Sequence, residues 1–185
     1  MGRVQTFDTD TVVRAARALF WDRGFEDVSV PELEAATGVR RSSLYHAFGS
    51  KRGLFDAAVD SYLTEVVRPR LRSLQGPDVA ATALVDHLRT LRDGLLAGRA
   101  ALHPGCLLLN AATAPVGRDE AVARAVLAYR EELHAALRRG ALAHGAPDPD
   151  GTATLCTAAV VCALVLARVD AQQAAATVDA VLAVL

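Results

Sequence analysis

The sequence predicts an all-α fold of about nine helices: a small three-helix unit at the N-terminus, then a larger helical domain. Three observations carry this. Apolar residues recur at i, i+3 and i+4 along most of the chain, and the alternation expected of a half-buried strand is absent. Glycine or proline closes most of these periodic runs. The composition is 52% hydrophobic over 185 residues, mostly Ala, Leu and Val, and Ala and Leu favour helices. That length can bury one sizeable core, or a small one beside a larger one. The chain shows no internal repeat and no low-complexity tail.

The first helix is predicted from Asp10 to Arg23, capped by Asp8 or Thr9. Val13, Ala16, Leu19 and Phe20 give it an apolar stripe. Gly24 ends it, and Phe25 packs where the chain turns. Ser29 followed by Glu32 is a capping box, in which each side chain satisfies the other residue's backbone N–H. Pro31 sits in the first turn of the second helix, where a missing N–H costs nothing. Leu33, Ala36 and Thr37 fall on its inward side, and Gly38 takes the left-handed position after its last turn. Val39 plugs the turn. A third helix runs from about Arg41 to Phe48 with Leu44 and Phe48 inward, and Gly49 closes it. Ser50 caps a helix starting at Lys51, whose Leu54 and Phe55 return to the core.

Two short helices joined by a glycine turn form the layout of a helix-turn-helix DNA-binding unit. Arg41, Ser42, Ser43, Tyr45 and His46 are left on the outer face of the third helix. Small hydroxyls, arginine and an aromatic suit phosphate and base-edge contacts. Ser29 adds a phosphate donor at a helix N-terminus, and Arg40 or Arg41 can reach a guanine edge. The net charge of −1 argues against nucleic acid at first. Its distribution answers this: residues 1–55 hold eight Arg or Lys against seven Asp or Glu, and the span from Arg40 to Arg52 has four positive charges and no acid. A local patch dominates the field at a DNA backbone even when the whole chain is near neutral.

At this point the chain resembles the TetR family of transcriptional regulators. The matching stretches are ALFWDRGFEDVSV (Ala18 to Val30), EAATGV (Glu34 to Val39), SSLYHAFGSK (Ser42 to Lys51) and Leu54-Phe55. The resemblance implies that Tyr45 and Lys51 contact phosphates. One departure stands out: the family usually has a small residue, often serine, where this chain has Arg40. The exchange removes a helix cap and adds a cation beside the DNA.

From residue 56 onward the chain reads as a second domain. The helix from Lys51 is predicted to continue to Val67, with Pro69 stopping it. A helix from about Asp78 to Gly98 carries the stripe Leu84, Leu88, Leu91 and Leu95. A short apolar segment, Leu102 to Pro115, precedes a long helix from about Arg118 to Ala143. Two helices close the chain, roughly Thr152 to Val169 and Ala171 to Leu185. Leu155 to Ala167 holds no charge, the mark of a helix buried all round. The run is short for a membrane span and is closed by Arg168 and Asp170, so a membrane role is not expected. One copy of the chain cannot easily cover both terminal helices. The resemblance implies that they form a four-helix bundle with a second copy, and the interface is expected at Leu155, Ala159, Cys162, Leu166, Val178 and Leu182. A two-fold dimer is also what a palindromic operator requires.

The segment Gly105-Cys106-Leu107-Leu108 followed by Asn110 resembles one found in a branch of the same family, whose middle helices enclose a ligand pocket. Pocket candidates are Leu88, Leu91, Cys106, Asn110 and Tyr129, a lining suited to a small, mostly apolar effector. Cys106 admits three roles: buried packing, pocket lining, or a thiol sensor for electrophiles or oxidants. Cys156 and Cys162 are expected in the core, and three widely spaced cysteines give no disulfide framework.

Chemistry is not expected. His103 and Cys106 form an H-x-x-C pair, but His87, His134 and His144 supply no second close pair, so no metal site or other cofactor is implied. No glycine-rich phosphate loop and no signature around a nucleophile appears. The N-terminus MGRVQTFDTD lacks the apolar core of a signal peptide, so a cytoplasmic protein is expected. The expected protein binds an operator through residues 1–55, with residues 56–185 binding an effector and dimerising. It is most simply a repressor released by a small apolar effector or an electrophile. The alternative class is a helical protein-interaction adaptor that never touches DNA.

Overall fold

A computed structural model of the protein describes residues 7–97 and 105–185. They form ten α-helices: α1 (Thr9–Arg23), α2 (Val30–Thr37), α3 (Arg41–Phe48), α4 (Lys51–Tyr62), α5 (Arg68–Leu71), α6 (Ala83–Leu96), α7 (Leu107–Ala112), α8 (Glu120–His144), α9 (Pro149–Leu166) and α10 (Ala171–Leu182). A π turn, Leu63–Val67, joins α4 to α5. Counting α4, this turn and α5 as one rod gives nine helices among the described residues, with no strand.

The N-terminal unit packs around aromatic rings. Phe20 meets Phe55 edge-on, with centroids 5.3 Å apart and planes at 89°. Phe25 closes the triangle at 6.0 Å from Phe20 and 5.1 Å from Phe55. Such pairs add roughly 0.5–1.5 kcal/mol each beyond simple burial. Trp21 stacks edge-on against Tyr62 at 4.8 Å, which carries the core from α1 into the second half of the molecule. The core then runs without a break to Val181 on α10.

Pro69 does not stop the helix. Its ring and missing N–H would break an α-helical ladder, but the preceding π turn absorbs the defect, with the Arg68 N–H bonding five residues back to the Leu63 carbonyl. The chain therefore continues in one direction through Leu71. The helix predicted from Asp78 begins later, at Ala83, and its predicted end at Gly98 lies outside the described residues. Ala36 is exposed rather than inward, because α2 is short and only Leu33 reaches the core.

Helix α9 is sandwiched between α8 and α10. It is long and apolar enough by composition to cross a membrane. Here Ala153, Cys156, Thr157, Val160, Ala163 and Leu164 are buried against its neighbours. It is not covered all round: Leu155, Cys162 and Val165 remain exposed along one side, and Val169 just beyond its end is exposed too. Cys162 is thus a surface residue, contrary to the expectation of a core position, whereas Cys156 is buried and its thiol is pushed up to about 11 by burial.

Candidate nucleic-acid interface

The local chemistry of the α2–α3 turn places the outer face of α3. The Ser29 capping box forms as read: the Glu32 carboxylate accepts from the Ser29 N–H at 2.8 Å, and the Ser29 hydroxyl accepts from the Glu32 N–H at 3.4 Å. The Ser29 hydroxyl, with help from its backbone N–H and from Arg23, holds the Glu32 carboxyl at about 2. Gly38 ends α2 at φ 69°, ψ 9°, a left-handed conformation that glycine adopts at no steric cost. Thr37 locks the turn, donating to the Leu33 carbonyl at 2.6 Å and accepting from the Val39 N–H at 3.2 Å.

Arg40 is the N-cap of α3 and its side chain caps nothing. The cap is supplied from across the turn instead: Glu34 Oε1 accepts from the Arg41 N–H at 2.6 Å. Sequence reasoning missed this residue. Glu34 lies seven positions away on another helix, so no local pattern announces it.

Arg40, Arg41, Ser42 and His46 are exposed on or beside α3, while Ser43 and Tyr45 are half-buried. The Arg41 guanidinium lies over the Tyr45 ring at 5.0 Å, and Tyr45 in turn packs against the core. This stack orients both groups. Among the described residues the hydroxyls of Ser42 and Ser43 have no internal partner. Lys51 lies at the start of α4 with its ammonium 4.4 Å from the centre of the Phe25 ring. Partial burial pulls its pKa below the ordinary lysine value. The outer face therefore joins Arg40, Arg41, Ser42, His46 and the rim of Tyr45, with Lys51 and Ser29 on flanking helices.

The fourth cation of the cluster is committed elsewhere. Arg52 bonds Asp56 at 2.8 Å and Asp119 at 2.7 Å. Asp119 is itself the N-cap of α8, accepting from the N–H groups of Ala121 and Val122, and the Arg52 guanidinium is the main cause that holds its carboxyl at about 2. Further long-range bonds run from the N-terminal unit to the rest. Glu26 Oε1 accepts from the Val116 N–H at 2.6 Å. Arg168, at the end of α9, donates to the carbonyls of Trp21 and Asp22 at 3.4 and 3.1 Å. These ties also escaped the sequence, since each joins residues at least 67 positions apart.

Residues 12–58 match the model of bacterial regulatory proteins of the tetR family. The chain is 32% identical over 146 residues to the HTH-type transcriptional regulator YezE of Bacillus subtilis (strain 168), covering 77% of this chain and 72% of that protein. The protein belongs to the TetR family of transcriptional regulators. It is also 42% identical over 62 residues to the transcriptional repressor ComR of Escherichia coli (strain K12), a stretch covering 34% of this chain and 30% of ComR. Among solved structures it resembles the TetR-family regulator CifR, a cysteine mutant complexed with 26 bp double-strand operator DNA. That likeness has a TM-score of 0.78 and 32% identity, and covers 98% of each chain.

As a TetR-family chain it is a DNA-binding transcriptional regulator and not an enzyme. The effector candidates do not converge on one place. Leu91 and Tyr129 line a small cavity among α4, α5, α6, α8 and α9. Leu88 is packed in the core. Asn110 lines a different, wider cleft at the junction with the N-terminal unit, beside Arg23, Glu26, Asp27 and Arg168. Cys106 is the N-cap residue of α7 and is fully buried. Burial raises the pKa of both Tyr62 and Tyr129, and the nearby Cys106 raises it further. His103, its companion in the H-x-x-C pair, lies outside the described residues. Of the expected dimer residues, Leu155 and Cys162 are exposed and Leu166 and Leu182 half-buried. Ala159 and Val178 face inward and are buried within the chain's own bundle, so they are not offered to a partner. Val165 and Val169 extend the exposed apolar side instead.

Proposed function

We propose that the protein is a dimeric, effector-responsive repressor that places α3 in the major groove of a palindromic operator. The observation that carries this is the outer face of α3. Arg40, Arg41, Ser42 and His46 project from a rigidly capped helix; among the described residues none of their side chains is held by an ion pair or hydrogen bond within the protein, and Arg41 is stacked on Tyr45. Arg40 or Arg41 would read a guanine edge, Ser42, Ser43 and His46 would meet bases or phosphates, and Tyr45, Lys51 and Ser29 would bond the backbone. The CifR structure with operator DNA supports this use of the fold.

The N-terminal unit, residues 1–55, serves as the DNA-binding head, and residues 56–185 as the effector and dimer domain in a cytoplasmic protein. A second copy covers the exposed side of α9, where Leu155, Cys162 and Val165 stand, together with Leu182 on α10. Effector binding acts by population shift, favouring a conformer whose two heads no longer match the groove spacing. The route would run from Cys106 at the head of α7, near the cavity-lining Tyr62 and Tyr129, to the far end of that segment, where Val116 and Asp119 bond Glu26 and Arg52.

Fluorescence anisotropy with DNA from directly upstream of the gene, against a scrambled duplex at several salt concentrations, tests the reading. Tight binding that prefers the upstream duplex is expected. No binding to any duplex at low salt overturns it.

A further inference from the structure

The cavity beside α5 has a volume of about 50 Å³, room for only a few water-sized groups. Its walls are mostly aliphatic: Val67, Leu71, Leu91, Leu133, Val160 and Leu164. Four polar residues complete the lining, Tyr62, Tyr129, His87 and Arg70, and no carboxylate is among them. Burial holds both phenols well above their ordinary pKa, so they remain hydroxyl donors at any working pH. The Arg70 guanidinium lies close enough to favour negative charge on each of them. Burial also pushes the His87 imidazole below its ordinary value, partly opposed by the Arg70 carbonyl beside the ring.

Arg70 is an exposed residue that also contributes to the cavity lining. Its neighbour Arg68 is paired with Glu132 at 3.3 Å, but among the described residues Arg70 has no carboxylate partner. It is carried to the cavity by α5, which follows directly on the π turn at Leu63–Val67 and holds Pro69 in its first turn. Single π turns of this kind recur at functional sites. The cavity thus has an exposed guanidinium without a carboxylate partner on its lining, beside buried phenol donors and apolar walls.

We propose that the effector is a small organic carboxylate with an apolar body of a few carbon atoms, its anionic head held by Arg70 and the phenols and its body against the aliphatic walls. The inference rests on the effector-responsive reading above. A guanidinium is matched to a carboxylate by two parallel N–H bonds. A neutral isostere leaves that charge unanswered, and a highly charged anion such as inorganic phosphate gains nothing from aliphatic walls.

The test is titration calorimetry of the full-length protein without DNA, using propanoate and 3-methylbutanoate against propanamide and 3-methylbutanamide. At least one acid is expected to bind roughly tenfold or more tightly than its amide, the usual scale of a charge-assisted bond. Arg70→Met keeps the side-chain stem and is expected to abolish the difference. Leu91→Phe, which fills the cavity, is expected to remove binding of the acid. Equal binding of acid and amide, no binding of any of the four, or acid binding unchanged in Arg70→Met overturns the proposal. Unchanged acid binding in a folded Leu91→Phe protein, checked by its melting curve, overturns it too. The DNA assay is read separately. If operator binding holds and the acid–amide difference is missing, the ligand inference alone falls. If the difference holds and no duplex is bound, the regulator reading alone falls.

Discussion

Gly53 provides a test in which helix propensity and tertiary geometry disagree in sign. It occupies the first turn of α4, in a conformation open to any residue, so propensity alone expects Gly53→Ala to stabilise the protein by about 0.5–1 kcal/mol. The structure says otherwise. A Cβ at this position overlaps the backbone carbonyl oxygen of Phe48, the last residue of α3. A flexible side chain could move aside, but this carbonyl is fixed by the α3–α4 turn, where Gly49 is already at φ 76° and the Ser50 hydroxyl caps Gly53 at 3.1 Å. Forcing a methyl into a packed site costs about 1–3 kcal/mol, and a rigid neighbour puts the cost near the top of that range. Subtracting the propensity gain leaves a net loss of about 2 kcal/mol. For a chain of this size each kcal/mol moves the melting temperature by about 2–4 °C, so Gly53→Ala is expected to melt about 4–8 °C below the parent in a calorimetric scan. A melting temperature equal to or above the parent's would refute the close approach of α3 and α4, and with it the placement of Lys51 beside the outer face of α3.

Glu34→Ala removes the acceptor for the Arg41 N–H and is expected to cost about 1 kcal/mol, or about 2–4 °C in melting temperature; Glu34→Gln keeps an acceptor and is expected to lose less than half of that. The folded-state pKa of Glu32 is depressed from 4.5 to about 2, so its contribution is complete above pH 4.5 and lost as the pH falls towards 2. Urea midpoints measured from pH 5 to pH 2 are therefore expected to fall less steeply in Glu32→Gln than in the parent. Lys51→Ala is expected to weaken all DNA binding and to reduce the slope of log affinity against log salt by about 1, read by anisotropy. Val165→Asp places a charge on the exposed apolar side of α9 and is expected to weaken self-association at least about tenfold, seen as a shift to monomer in sedimentation at micromolar concentration.

The N-terminal unit was legible because its signals are local. Ser29 and Glu32, Gly38, Gly49 and Ser50 each act within four residues, and the helices they bound appear where their caps predict. The family resemblance rests on the same residues. The chain's all-helical class, its apolar terminal helices and the exposed set on α3 follow from side-chain periodicity, which is a property of a single helix. What the tertiary structure decided depends on residues brought together from distant positions. Glu34 caps α3 across a turn, Arg52 is withdrawn from the basic cluster by Asp119, and Glu26 and Arg168 tie the N-terminal unit to the rest. Pro69 read as a stop because a proline's cost is counted on an α-helical ladder, while the packed chain met that cost with a π turn. Cavity residues escaped for a related reason: periodicity tells which side of a helix is apolar, but only packing determines whether that side meets another helix, as Leu88 does, or a space, as Leu91 does. The same holds for Val178, inward by its contacts with the chain's own bundle, and for Val165, outward on a helix whose sequence is apolar all round.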